Sequence, residues 1–162
     1  MTKLTELNDT DLLAAITTQE DELRFEDFSV ATAHTLGNRF VALAKERSLP
    51  IAIDITCAGH CLFHMAMEGA TPDNAEWIER KKRVVGRFHH SSLYMGLLCK
   101  LSDTVLETRF HLPPNQFAPH GGCFPIRLKG GAVIGTITVS GLPQVEDHAL
   151  VTEVIAEYLG AA

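Results

Sequence analysis

The stretch from residue 124 to residue 140 most constrains the fold. Phe124 to Leu128 and Ala132 to Ser140 flank Lys129-Gly130-Gly131, and in the second run Val133, Gly135, Ile137 and Val139 alternate with Ile134, Thr136, Thr138 and Ser140. Alternation at period two marks strands with one face on a core, and glycines between two such runs mark a hairpin. Ile51 to Thr56 and Cys61 to Met67, separated by Ala58-Gly59-His60, predict a second hairpin.

Helical periodicity fills the intervals. Between Ser29 and Arg47, Ala33, Leu36, Gly37, Phe40, Leu43 and Ala44 recur at spacings of three and four, and Ser48-Leu49-Pro50 ends that helix. Thr71-Pro72-Asp73 opens another, running through Trp77, Ile78, Lys81, Val84, Val85 and Phe88, and Ser92 to Leu101 predicts a third. Residues 103 to 122, broken by Pro113-Pro114, Pro119 and Gly121-Gly122, predict a wrapped loop with a short helical turn. Gly141-Leu142-Pro143 leads into a last helix with Glu146 and Asp147 in its first turn and Leu150, Val151, Val154, Ile155 and Tyr158 as its buried stripe. Two hairpins interleaved with helices predict an α+β domain, a mainly antiparallel sheet with helices packed on one face. Residues 1–24 form an acidic helical lead-in to a single domain over 25–162.

Register follows from the core face. With Ile51, Ile53 and Ile55 sharing that face with Phe63, Met65 and Met67, a three-residue loop at 58–60 sets Asp54 opposite His64 and Cys57 opposite Cys61. Asp54 and His64 read either as an oriented imidazole or as a cross-strand ion pair at a subunit contact. The two cysteines read as inward free thiols.

The chain has 162 residues, with 14 Lys plus Arg against 20 Asp plus Glu and a formal net charge of −6. That balance lacks the basic footprint of a nucleic-acid binder, and no apolar run approaches the length of a membrane span. Four cysteines are too few for a disulfide scaffold, and the first residues lack a basic-then-apolar leader, so a cytoplasmic location is expected. A Gly-x-Ser-x-Gly elbow, a His-Glu-x-x-His pair and a dinucleotide fingerprint are all missing, and with them the familiar hydrolase, zinc-protease and dehydrogenase readings.

Chemistry-bearing residues gather at two loops. His120-Gly121-Gly122 enters a strand, where absent side chains admit a ligand or another backbone. Ser140-Gly141 precedes the last helix, whose free N–H groups favour an anion; Ser140 either helps to bind it or caps the helix. His120, Asp147 and His148 could converge as a divalent-metal site, although a helix-start histidine is ordinarily exposed. Arg80, Lys81, Lys82, Arg83 and Arg87 form the one basic concentration. Most of these face solvent by default, with Lys81 and Arg87 as candidate partners for a carboxylate.

As a set, four segments resemble a known family. They are Pro50 to Ile55; Thr71 to Lys81 with Trp77; His120-Gly121-Gly122-Cys123-Phe124-Pro125-Ile126; and Gly135 to His148. Together they are similar to an uncharacterised subgroup of the haem-degrading, HbpS/GlcG-like domain family. The resemblance implies a profilin-like fold and homo-oligomers built from dimers. Family positions carry over to Lys81, Gly121, Gly122, Val139, Ser140, Gly141 and Asp147, and no axial haem ligand carries over.

Three functions follow as expectations. The first is a homo-oligomeric binding domain for a small anionic ligand held by Lys81, His120, Gly121, Gly122, Ser140, Gly141 and Asp147. Haem is one candidate, ligated by His120 or His148 with its carboxylates on Lys81 or Arg87. The second is a metal-dependent enzyme using His120, Asp147 and His148. The third is a scaffold that assembles through the polar sheet face of Asp54, Thr56, His64, Thr136 and Thr138.

Overall fold

The computed structural model describes residues 3–161. After a short helical turn at Leu4–Glu6 come α1 (Asp9–Glu22), α2 (Val30–Arg47), β1 (Ala52–Cys57), β2 (His60–Ala66), α3 (Pro72–Phe88) and α4 (Ser92–Leu101). The chain continues through α5 (Leu106–Phe110), β3 (Cys123–Arg127), β4 (Val133–Ser140) and α6 (Gln144–Leu159). The strands form one antiparallel sheet in the order β2-β1-β4-β3. The two predicted hairpins therefore lie side by side, joined where β1 pairs β4.

Local chemistry sets the element ends. Ser29 and Thr32 reciprocally cap α2, Thr32 N–H donating to Ser29 Oγ at 3.1 Å and Ser29 N–H to Thr32 Oγ1 at 3.3 Å. Thr71 N–H donates to Asn74 Oδ1 at 2.8 Å at the start of α3, where Pro72 takes the first helical position.

Ile53, Ile55, Phe124, Ile126, Ile137 and Val139 point to one face and pack under α2 and α6 against Leu36, Phe40, Leu43, Val151 and Ile155, all at most 1% exposed. Tyr158 is the exception to the predicted stripe of α6; it is 42% exposed near the helix end. The expectation of helices on one face holds for α2 and α6 but is incomplete. Helix α3 lies over the hydroxyl-bearing face, and Asp54, Thr136, Thr138 and Ser140 are buried beneath it. That cover removes Asp54, Thr136 and Thr138 from the free assembly surface expected from the sequence.

The first hairpin corrects the register at its tip. Asp54 faces His64 as expected, but Thr56 pairs with Cys61 and Cys57 with His60. The loop is only Ala58-Gly59, both at positive φ (50° and 76°), as a tight two-residue hairpin turn requires. Leu62 is the extra residue, a β-bulge between the Ile55 and Thr56 pairings. Cys57 and Cys61 are not opposed; both are free thiols, Cys57 half-buried and Cys61 exposed.

The lead-in docks firmly. Leu12 and Ile16 of α1 pack on Leu93 and Leu97 of α4, and Glu20, 6% exposed, accepts from Ser91 N–H at 2.7 Å and bonds His90 Nδ1 at 2.6 Å. Phe25 then pairs with the β3–β4 turn, its N–H donating to Arg127 O at 2.8 Å and its carbonyl accepting from Lys129 N–H at 2.8 Å.

Candidate functional site

The turn after β4 and the start of α6 meet the middle of α3. Asn74, Trp77 and Lys81 lie three and four residues apart and share one face of α3. With His120, Ser140, Gly141, Leu142, Gln144, Asp73 and Asp147 they line a cleft of 310 Å³. Its innermost feature is an ion pair. Lys81 Nζ is 3.0 Å from Asp147 Oδ2 and also donates to Val139 O at 3.1 Å, with the two residues 3% and 1% exposed.

The helix mouth does hold an anion, and it is the chain's own. Asp147 accepts from Leu142 N–H at 3.0 Å and Gly141 N–H at 3.4 Å as well as from Lys81. Burial pushes the Asp147 carboxyl above its usual range, opposed by Lys81 and these two amides. Ser140 does not cap α6; its Oγ accepts from Asn74 Nδ2 at 3.4 Å, and Pro143 occupies the cap position.

The two glycines serve backbone packing. A Cβ on Gly121 would lie 2.0 Å from Gln144 O, and Gly122 has φ 124° with Val139 O 2.4 Å from where its Cβ would be. Gly121 N–H donates to Gln144 Oε1 at 3.2 Å, and Val139 N–H to Gly122 O at 2.8 Å. They bring the 119–122 loop against the α6 start, and it is His120 that lines the cleft.

The predicted metal set does not assemble. His148 is fully buried on the core side, its Nε2 2.9 Å from Gln19 Oε1 and its ring edge-on to Phe124. Burial lowers its pKa to about 4, against a smaller opposing effect of Glu20. His120 lies across the cleft with its ring edge-on to Trp77 at 5.3 Å. Among the described residues, the only three-ligand grouping within 4.8 Å is Asp54, Cys61 and His64. Arg87 lies outside the cleft, near the Phe88 ring at the end of α3.

Sequence reasoning missed Asn74, Trp77 and Gln144 as cleft residues. The signal for the first two was present, since they join Lys81 on one helical stripe. Nothing local marked Gln144. His120 is exposed at the cleft rim, where partial desolvation, then Lys81 and Arg80, lower its pKa and favour the neutral ring. Arg80 stacks on Trp77 with its guanidinium carbon 4.2 Å from the ring centre.

Behind Trp77 and His120 lies a second cavity of 440 Å³ with mainly apolar walls, including Leu93, Leu97, Leu106, Phe117 and Val145, and with Arg80 and Lys100 at its margin. Cys99 also borders it, and burial raises its thiol pKa. Cys123 is sealed in the sheet, its pKa pushed up to about 12, which makes it an inert thiol.

Comparison with known proteins places this geometry. A protein from Acidobacterium capsulatum described as a UPF0303 protein is 48% identical over 148 residues, covering 91% of this chain and 90% of that one. The crystal structure of Ybr137w protein superposes with a TM-score of 0.83 at 34% identity, over 91% of this chain and 87% of that one. A solved PduOC:heme complex shares the fold, with a TM-score of 0.66 at 19% identity over 80% of this chain and 93% of that one. A family model described as haem degrading protein HbpS-like matches residues 28–156, a span that runs from the start of α2 nearly to the end of α6. With that match and near-half identity to a relative along almost its whole length, the chain belongs to the HbpS-like family of haem degrading proteins.

Proposed function

We propose that this chain is a binding domain for a small organic anion, received in the cleft between α3 and the β4–α6 turn. The observation that carries the reading is Lys81. Its buried ammonium has three protons and two protein acceptors, Val139 O and Asp147 Oδ2, which leaves one donor at the cleft wall. Gln144 adds a second, because its Oε1 is fixed on Gly121 N–H and its amide NH2 remains available. Asp147 is neutralised by Lys81, and Asp73 accepts from Trp77 Nε1–H at 3.1 Å. A volume of 310 Å³ lies near the small end of ligand pockets, about 300–1,000 Å³.

Haem does not fit this cleft. Its volume is at the small end for a ligand pocket, most of its lining residues are polar in type, Lys81 spares a single donor where the group carries two carboxylates, and His148 is enclosed elsewhere. The adjoining cavity is a better match, and the heme complex of the PduOC neighbour supports it as a second reading. There His120 would hold the iron, Arg80 and Lys100 would meet the carboxylates, Lys100 exchanging its present partner Asp9, and Leu93, Leu97 and Phe117 would line the space for the macrocycle. Haem so placed would supply ligand binding or redox chemistry at iron, while the protein's own part would be to hold the macrocycle and exclude water.

Trp77 is the chain's single tryptophan and lines both spaces. Its fluorescence therefore reads occupancy directly. Titration with a panel of small mono- and dicarboxylates is expected to give a saturable change that Gln144→Leu weakens. No saturable response to any member sinks the first reading. Haemin titration tests the second, which fails without a Soret shift that His120→Ala abolishes.

We also propose self-association, supported by the open edge of β2, where only one side of the strand is paired. Sedimentation of the full chain checks it; a monomer at high concentration rejects it. Among the described residues no helix is long and apolar enough to cross a membrane.

A further inference from the structure

The β-bulge at Leu62 does more than shorten a turn. In an unbroken register Leu62 would lie opposite Thr56; with the bulge, Cys61 takes that place, and His64 stays opposite Asp54. Cys61 and His64 thus share the sheet face of Asp54 and Thr56. Asp54 is 3% exposed, and its two oxygens divide the neighbours between them. Oδ1 accepts from Thr56 Oγ1 at 2.7 Å and pairs with Lys82 Nζ at 3.2 Å. Oδ2 is shared by His64 Nδ1 at 3.1 Å and Cys61 Sγ at 3.6 Å.

We propose that Asp54, Cys61 and His64 form a binding site for a divalent transition metal of zinc type, outside the cleft and independent of its ligand. A thiolate, an imidazole and a carboxylate are the donor set that such borderline-soft ions select, and three protein ligands leave the fourth position for water. Zinc bonds of about 2.0–2.3 Å imply tetrahedral edges of roughly 3–4 Å. Two of the three ligand pairs already have that spacing, and all three ligand atoms lie within 4.8 Å of one another.

The surroundings suit an ion. Thr56 and Lys82 hold Oδ1 and orient the carboxylate from behind, the part an outer shell plays. Lys82 is also paired with Glu79 at 2.8 Å, which offsets its charge. Cys61 is exposed and the His64 side chain is 42% exposed, so an ion has a path in. Binding is an exchange without electron transfer. The Cys61 thiol releases its proton to solvent as the sulfur–metal bond forms, and His64 gives up its Nδ1–H···Oδ2 hydrogen bond to Asp54, its ring proton moving through solvent from Nδ1 to Nε2 so that Nδ1 coordinates as the neutral tautomer.

The test uses the full chain, without an affinity tag, reduced and stripped with EDTA, then titrated with Co2+ and back-titrated with Zn2+. The expected result is a thiolate-to-cobalt charge-transfer band saturating at one equivalent per chain and erased by zinc. Cys61→Ser is expected to lose the band, and His64→Gln to bind more weakly on the order of tenfold or more. Cys57→Ser is expected to behave as the parent. Both ligand side chains are exposed, so the variants should keep the parent melting temperature without metal, which separates lost binding from lost folding. Absence of the band, its survival in Cys61→Ser, or unchanged affinity in His64→Gln overturns the site.

Discussion

Lys81 and Asp147, 66 positions apart in the chain, meet at 3.0 Å in the interior and fasten α3 to the first turn of α6. The contact ties the two walls of the cleft together, because one partner stands on each. The adjacent Lys82 reaches Asp54 instead, so consecutive lysines of one helix serve two separate polar clusters on the same sheet face.

Removing the cation alone leaves a buried carboxylate with only two amide donors. Lys81→Met is therefore expected to destabilise the fold by about 3–5 kcal/mol. The double variant Lys81→Met/Asp147→Asn keeps an acceptor for Gly141 and Leu142 N–H without the charge, and part of the loss should return. Urea unfolding of the three proteins checks this; equal losses for the single and double variants would contradict the assignment of the cost to an uncompensated charge.

Acid sensitivity follows from His148. In the native chain its ring takes up a proton only near pH 4, whereas the unfolded chain does so near the ordinary value of 6.5. Between those limits the unfolded state holds more protons, so stability is full above pH 6.5 and falls as pH drops towards 4. The loss over that window is about 3 kcal/mol. Unfolding free energies measured across it should be flatter in His148→Gln than in the parent, and parallel curves would refute the claim.

Three glycines give a graded series. Gly86 is exposed in α3 with open space around it, so Gly86→Ala should stabilise by about 0.5–1 kcal/mol. Gly37 lies in α2 under the Phe63 ring, whose nearest carbon is 2.4 Å from where a Cβ would be. Despite better helix propensity, Gly37→Ala should cost about 1–3 kcal/mol. Gly121→Ala meets backbone at Gln144 and should cost at least as much while weakening the Trp77 response to ligand. Thermal melts rank the three, and any other order argues against the packing described.

Thr138→Arg separates a buried sheet face from an interface. Thr138 is wholly buried and donates to Cys123 Sγ at 3.1 Å. A charge there should cost more than about 4 kcal/mol and abolish cooperative unfolding. A folded variant with altered sedimentation would instead restore the assembly-surface reading.

Much was legible in one dimension because the signals are periodic. The alternation in Val133–Ser140, the three-and-four spacing in α2 and the Pro72 start of α3 each report which side of an element is apolar, and burial enforces that side. The family resemblance in the Gly121-Gly122 and Ser140-Gly141 segments fell on residues that do pack together. What periodicity does not encode is the partner across the fold. The bulge at Leu62 depends on a two-residue turn at Ala58-Gly59, and that turn moved Cys61 into the row of Asp54. His148 and Asp147 are neighbours in sequence yet face opposite ways, one to Gln19 of α1 and the other to Lys81 of α3. The order of hairpins and helices came from the amino-acid pattern alone. Which polar groups meet was decided by tertiary packing, because a buried charge takes its partner from whichever element covers it, and here that element is α3.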